Sequence, residues 1–202
     1  MTLADFLSRF DTPGAVVLLE GKRTQAMRRG GEQYIQRLGQ MLPSSARYLK
    51  FRSGNADGSD YFFSFGVSEI NRSRMEVIVP YKGHRESSNV AGETHALDAM
   101  DLAAEPDVFY LTGQNIKNAG LIRAWKSGVK SAAAAKGAYL LRDTVKVTGV
   151  RPGLPPATAA LFYDDISNPR SGGTGHTMLM CDLAGVPWYD QSVWMPWLDQ
   201  AL

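Results

Sequence analysis

Residues 51–67, FRSGNADGSDYFFSFGV, carry the pattern that decides the fold. An apolar start breaks into a run of Gly, Asn, Asp and Ser, then resumes as an aromatic segment almost free of charge. That order reads as a strand, a tight loop and a helix running from about Asp57 to Ile70. The strand itself is the short RYLKF segment, residues 47–51. Asp57 and Asp60 stand three apart at the helix start, where a carboxylate either caps backbone N–H groups or faces a ligand.

Outward from this unit the same alternation repeats. GAVVLLEGKR (14–23) is a continuous apolar run ending in glycine, as a strand buried on both faces reads. A helix is expected from about Gly30 to Met41, with Tyr34, Ile35, Leu38 and Met41 at helical spacing and Pro43 as its stop. MEVIVPYKG (75–83) reads as a strand, Thr94 to Ala104 as a helix bounded by Pro106, and Lys117 to Leu141 as a longer helical stretch weakened at Gly128 and Gly137. TAALFYD (158–164) is a further strand. SGGTGHTMLMCDLAG reads as a loop and then a helix closed by Gly185, and VPWYD as the last strand. The expectation is one α/β domain over 1–202: a Rossmann-like parallel sheet with helices on both faces. Residues 1–13 form an N-terminal helix, residues 190–202 a Trp-rich capping segment, and TGVRPGLPPA (148–157) a crossover or lid loop.

Composition narrows the function classes. The chain has 202 residues, 44% hydrophobic and 21% charged, with a net charge of +2. That charge is too small to point to nucleic acid, although Arg28, Arg29, Arg37, Arg47 and Arg52 tilt the first quarter basic. The one cysteine, Cys181, allows no internal disulfide and fits a reducing, cytoplasmic setting. No apolar run is long enough to span a bilayer, and the start of the chain, with Asp5, makes a poor signal peptide. His84 and His95 match no zinc spacing, so neither a metal nor a cofactor is expected. The Met178-Leu179-Met180 helix and the Trp-rich tail suggest more apolar surface than one small sheet covers, hence a homo-oligomer.

Three glycine-bearing loops follow strands: Gly21-Lys22-Arg23, Ser53-Gly54-Asn55-Ala56-Asp57-Gly58, and Ser171-Gly172-Gly173-Thr174-Gly175-His176-Thr177. Glycines at such places let backbone N–H groups approach a phosphate, and the helix that follows adds its positive end.

These loops, with Val79-Pro80-Tyr81-Lys82-Gly83 and Gly185-Val186-Pro187, stand in an order that resembles the SLOG superfamily of Rossmann-like proteins. That superfamily includes the LOG phosphoribohydrolases, the DNA-processing protein DprA and small bacterial and phage nucleotide-binding proteins. The likeness to the last group runs from about residue 15 to 190. It implies a nucleotide-type ligand held by Gly21, Lys22, Arg23, Ser53, Gly54, Asn55, Ala56, Asp57, Lys82, Gly83, Gly172, Gly173, Thr174, Gly175, His176 and Thr177. The phosphate would lie over Gly172 to Thr177 and the sugar near Asn55 and Asp57. The phosphoribohydrolases carry a PGGxGTxxE motif. Here Ser171 replaces the proline, His176 the threonine, and Met178-Leu179-Met180 covers the place of the acid. The resemblance therefore implies a nucleotide binder first. The alternatives are an N-glycosidase using Asp57 or Asp60, and a single-stranded DNA-binding module, which the near-neutral charge disfavours.

Overall fold

The computed structural model describes residues 1–23 and 30–199, so Arg28, Arg29 and residues 200–202 lie outside the described residues. Six strands form one sheet, β1 (Val16–Gly21), β2 (Lys50–Ser53), β3 (Met75–Val79), β4 (Glu93–Ala96), β5 (Ala159–Tyr163) and β6 (Trp188–Tyr189), in the order β4-β3-β2-β1-β5-β6. Every pairing is parallel; Val17, for example, lies beside Phe51 on one side and Ala159 on the other. The chain builds outward from β1 to β4, then returns to lay β5 on the free side of β1. The strand order thus reverses between β1 and β5, which opens a crevice at their carboxyl ends.

Period-two alternation along the strands sends side chains to opposite faces. Val17, Leu19, Phe51, Val77 and Val79 meet α1 (Leu3–Phe10), α2 (Gly31–Ser45), α3 (Ser59–Asn71) and α8 (Gln191–Asp199) in one continuous apolar core. Leu18, Ile78, Ala160 and Phe162 face α4 (Pro106–Gly113), α6 (Ala132–Thr148) and α7 (Gly172–Ala184) on the other side. A short α5 (Ala119–Lys126) packs on α6. The α/β fold with helices on both faces is the one the sequence suggests.

Local expectations fail where tertiary pairing or helix-end chemistry overrides them. No helix forms over Thr94–Ala104: Glu93–Ala96 pairs with β3 as β4, and two single 3₁₀ turns follow. Pro106 opens α4 rather than closing a helix, since a first-turn residue needs no N–H partner. Pro43 does not stop α2, because in the last turn its missing N–H forfeits one bond while its ring is buried. The stretch from Lys117 breaks at Gly128 (φ +71°), and α6 runs on to Thr148.

The tail is core: Trp194 and Trp197 are fully buried and their indole N–H groups donate to the carbonyls of Phe162 (3.0 Å) and Met1 (2.9 Å). Met178 and Met180 are buried as well, so these two side chains are covered within a single chain, while Leu179 is half-buried. Residues 148–157 join α6 to β5 at the amino-terminal edge of the sheet, closed by a Val150–Leu154 bridge. They are a crossover at the end opposite the glycine loops, and so no lid over them. Among the described residues no helix is long and apolar enough to cross a membrane.

Candidate functional site

A cavity of about 700 Å³ opens at the carboxyl end of β1, beside the switch point. Gly21, Lys22, Arg23, Ala56, Gly172, Gly173 and Thr174 line it, together with Asp60. The loops after β2 and β5 therefore meet one space, with β1 between them. Gly172 to Thr177 do not form a loop, however. They are the first two turns of α7, with Ser171 as an N-cap whose side chain makes no capping bond. The first N–H groups of a helix have no partner within it. Here that end is exposed at Gly172 and Gly173, on the cavity wall.

Lys22 is a buttress. Its ammonium pairs with Asp164 (3.1 Å) and donates to the carbonyl and hydroxyl of Ser171, both at 2.7 Å, which ties the end of β1 to the head of α7. Gly21 is required by packing: a Cβ there would lie 2.3 Å from the Tyr163 carbonyl. Arg23 is exposed at the rim, and Lys136 and half-buried Tyr139 extend the wall, with the Arg142 guanidinium 5.2 Å from the Tyr139 ring centre.

Several expected ligand residues are occupied elsewhere. Asp57 lies before Gly58, whose φ of +82° turns the chain into α3; the Asp57 carboxylate is exposed and pairs with Arg85. Asp57 and Asp60 therefore do not act together. Asn55, held at φ +52°, donates its side-chain amide to the carbonyls of His84 (3.2 Å) and Arg85 (3.4 Å) and pins that loop. Ser53 is buried, and Gly54 sits against the Asp60 carboxylate. Lys82 and Gly83 follow β3, two strands from β1, where the Lys82 N–H bonds the Asp98 carboxylate; neither lines the cavity. A Cβ on Gly175 would collide with the Arg170 carbonyl at 1.8 Å, so this glycine serves helix packing. The His176 ring lies 3.2 Å from the Leu140 carbonyl, and burial holds its imidazole below the usual range against the pull of Asp143. Thr177 is buried, and its hydroxyl donates to Glu20 at 2.9 Å.

Beneath the cavity lies a buried ionic cluster that sequence reasoning missed. Glu20 meets Lys146 at 2.5 Å, Lys146 meets Asp143 at 2.9 Å, and Asp143 accepts from Arg142 at 2.6 and 3.0 Å. Arg142 donates to the Gly54 carbonyl, and Asp60 accepts the Gly54 N–H. Burial pushes the Glu20 carboxyl up to about 8, the nearby charges of Asp143 and Asp60 add to the rise, and Lys146 opposes it. Burial also works to raise Asp143, but Arg142 and Lys146 outweigh it and bring that carboxyl down to about 2. For Lys146, burial is outweighed by Asp143 and Glu20, which hold its ammonium above the usual range. The signals were a lone acid in the apolar VVLLEG strand and the charged RDTVK stretch in a helix.

His84 and His95 do not meet. His84 stacks edge-on between Tyr81 and Tyr139, while His95 lies beside Glu76 and Glu93, whose carboxylates pair with Arg52 and Lys50. Burial pushes the Cys181 thiol well above its ordinary range. Comparison with protein-family models, curated proteins and solved structures finds no match to this chain.

Proposed function

We propose that the chain binds a nucleotide or a nucleotide-derived small molecule in the cavity at the carboxyl end of β1. The observation that carries this reading is the head of α7, where uncapped N–H groups beside Gly172 and Gly173 open onto a space of about 700 Å³. Helix N-termini of this kind favour phosphate, and the volume falls within the range of small-molecule sites. Tyr139, Leu121 and Leu140 offer a largely apolar wall for a base, and Asp60 offers an acceptor for sugar hydroxyls. Ala56 takes the place that Asn55 and Asp57 were expected to fill. The likeness to the SLOG superfamily points the same way.

A second reading, cleavage of the ligand's N-glycosidic bond, is favoured by one observation: three buried carboxyl groups, Glu20, Asp60 and Asp143, line the same cavity. Single-stranded DNA is the weaker reading, because Tyr139 is the one aromatic side chain lining the cavity among the described residues, and strand binding uses successive stacked bases. Calorimetric titration with a panel of nucleoside monophosphates, run beside an assay for released base, separates these readings. Binding without release supports the binder, release supports the hydrolase, and neither event defeats both.

A further inference from the structure

The cavity floor holds more carboxyl groups than cations to match them. Glu20 on β1, Asp60 on α3 and Asp143 on α6 face Arg142 and Lys146, both on α6. On α7 the titratable neighbours are Cys181, close to Glu20, and His176, close to Asp143. Lys22 is already matched by Asp164. A buried cluster of this composition approaches neutrality by retaining one proton.

The hydrogen bonds indicate where that proton sits. Asp143 is satisfied by Arg142 and Lys146, and Asp60 accepts the Gly54 N–H. Glu20 has Lys146 on Oε2 and the Thr177 hydroxyl, 2.9 Å away, on Oε1. That hydroxyl has a second acceptor, the Gly173 carbonyl at 3.1 Å. One hydrogen cannot serve both acceptors at once. With Glu20 ionised, Thr177 donates to Oε1. With a proton on Oε1, Glu20 donates to the hydroxyl oxygen and the hydroxyl turns to Gly173. Both states are fully hydrogen-bonded, so the proton is exchanged without orphaning a buried group.

We propose that Glu20 is the proton-exchanging residue of this cavity, and that an anionic ligand at the head of α7 binds together with one proton taken from solvent onto Glu20. This rests on the reading that a phosphate-bearing ligand occupies the site. Glu20 itself lines the cavity, so the ligand's charge adds to that of the floor. Ionised, the floor carries one net negative charge beneath the anion; protonated, it carries none. Thr177 is a positioning residue that makes the two states interchangeable.

The test uses the intact protein, with adenosine 5′-monophosphate and inorganic pyrophosphate as probes. Calorimetry in buffers of different ionisation enthalpy should register uptake of up to about half a proton per ligand bound at about pH 8, rising toward one at about pH 9. Affinity should fall by up to about tenfold per pH unit above the titration of Glu20. Glu20→Gln should bind adenosine 5′-monophosphate with no proton uptake and with an affinity flat between about pH 7.5 and 9.5. Thr177→Val should move the midpoint of the wild-type pH profile upward, and Thr177→Ser should restore it. Zero uptake in the wild type, or the same uptake in Glu20→Gln, overturns the proposal. An unmoved midpoint in Thr177→Val removes Thr177 from it. A ligand-free measurement stands beside these: the carboxyl ¹³C resonance assigned by its loss in Glu20→Gln should titrate well above the ordinary carboxylate range. Titration within that range overturns the proposal even where ligand binds. If neither probe binds, the site reading and the linkage built on it both fail, and the resonance still reports whether Glu20 holds the proton.

Discussion

The two faces of the sheet are built on different chemistry. On the α1–α2–α3–α8 side, Val17, Leu19, Phe51, Val77 and Leu161 meet helices that supply Phe6, Leu38, Phe63 and Trp194, and burial alone explains the contact. On the α6 side the same strands turn Glu20, Arg52 and Glu76 inward, and α6 answers with Arg142, Asp143 and Lys146, all nearly or fully buried. Arg52 donates to the Lys146 carbonyl at 3.0 Å and pairs with Glu76 at 2.6 Å, so the polar row crosses three neighbouring strands. Burying so many charges is weak evidence for stability, since desolvation offsets much of the attraction. A protein that needed only to cover this face would use leucine, as it does on the other. The cavity stands at the carboxyl end of the polar row, which suggests that the cluster is kept for what it presents there.

Removing Lys146 should break the comparison most sharply. Lys146→Met leaves Glu20 and Asp143 facing each other in a fully buried site, and should cost about 3–5 kcal/mol in urea unfolding. The loss should be larger at about pH 8 than at pH 5, where Glu20 is protonated. Adding Glu20→Gln to the same chain should recover part of it. A loss below about 1 kcal/mol would mean the cluster is not what holds α6 to the sheet.

The apolar face provides the control. Leu38 is fully buried on α2, and Leu38→Ala should cost about 2–5 kcal/mol through lost burial and a residual cavity. Its cost should not change between about pH 5 and 8, because the core cluster that holds it contains no carboxyl, imidazole or ammonium group. A pH-dependent loss here would erase the distinction between the faces.

A glycine inside the cluster comes next. A Cβ on Gly54 would lie 2.8 Å from the Asp60 carboxylate, 3.0 Å from the Lys146 ammonium and 3.1 Å from the Arg142 guanidinium carbon. Gly54→Ala should therefore cost about 1–3 kcal/mol by overpacking. An unchanged urea midpoint would show that these charges have room to move.

The pH dependence of wild-type stability is a gentler probe. Asp143, depressed to about 2, contributes stability present above the unfolded value of 3.8 and lost as pH falls through about 2. Glu20 has the opposite sign. Its raised carboxyl contributes stability fully present below the unfolded value of 4.5 and lost as pH rises through about 8. Between those limits Glu20 should give stability a downward slope approaching about 1.4 kcal/mol per pH unit, one proton's worth. Urea midpoints from about pH 7 to 8.5, above the range in which the depressed His84 and His176 raise stability with pH, should fall in the wild type and flatten in Glu20→Gln. The absence of any fall over that range would show that Glu20 is ionised throughout.

How much of this was legible from the chain depends on how far apart the partners lie. VVLLEG, MEVIV and AALFY read as buried strands because β-branched and apolar residues run unbroken, and glycine marks where each βα unit turns. ETHA gave no such signal: β4 exists through its pairing with β3, and its helix-compatible composition misled. The glycines at 172 and 173 were readable because glycine exposes backbone whatever the rest of the fold does. The floor was not. Glu20 and Lys146 are separated by 126 positions, and only the return of the chain to the free side of β1 brings them together. Asp57 and Asp60 looked paired because spacing alone was available, and Gly58 at positive φ is what parts them.

The smallest stability effect should come from the position with the largest expected effect on binding. Gly172 has φ +63° and would resist a side chain, but Gly173 is helical, and a Cβ there would meet only the Asp143 carboxylate at 3.6 Å, an ordinary contact. Gly173→Val should thus change unfolding stability by less than about 1 kcal/mol, since losing a flexible helical glycine offsets the mild crowding. The branched side chain would still project where a phosphate oxygen must come within hydrogen-bonding distance of the α7 N–H groups. Nucleoside monophosphate affinity should drop below detection in calorimetry while the urea midpoint stays put. Gly54→Ala, on the same sheet edge but inside the cluster, should do the reverse, losing stability before affinity. If Gly173→Val binds like the wild type, the ligand does not sit at the head of α7. The ionic face would then be a structural device alone.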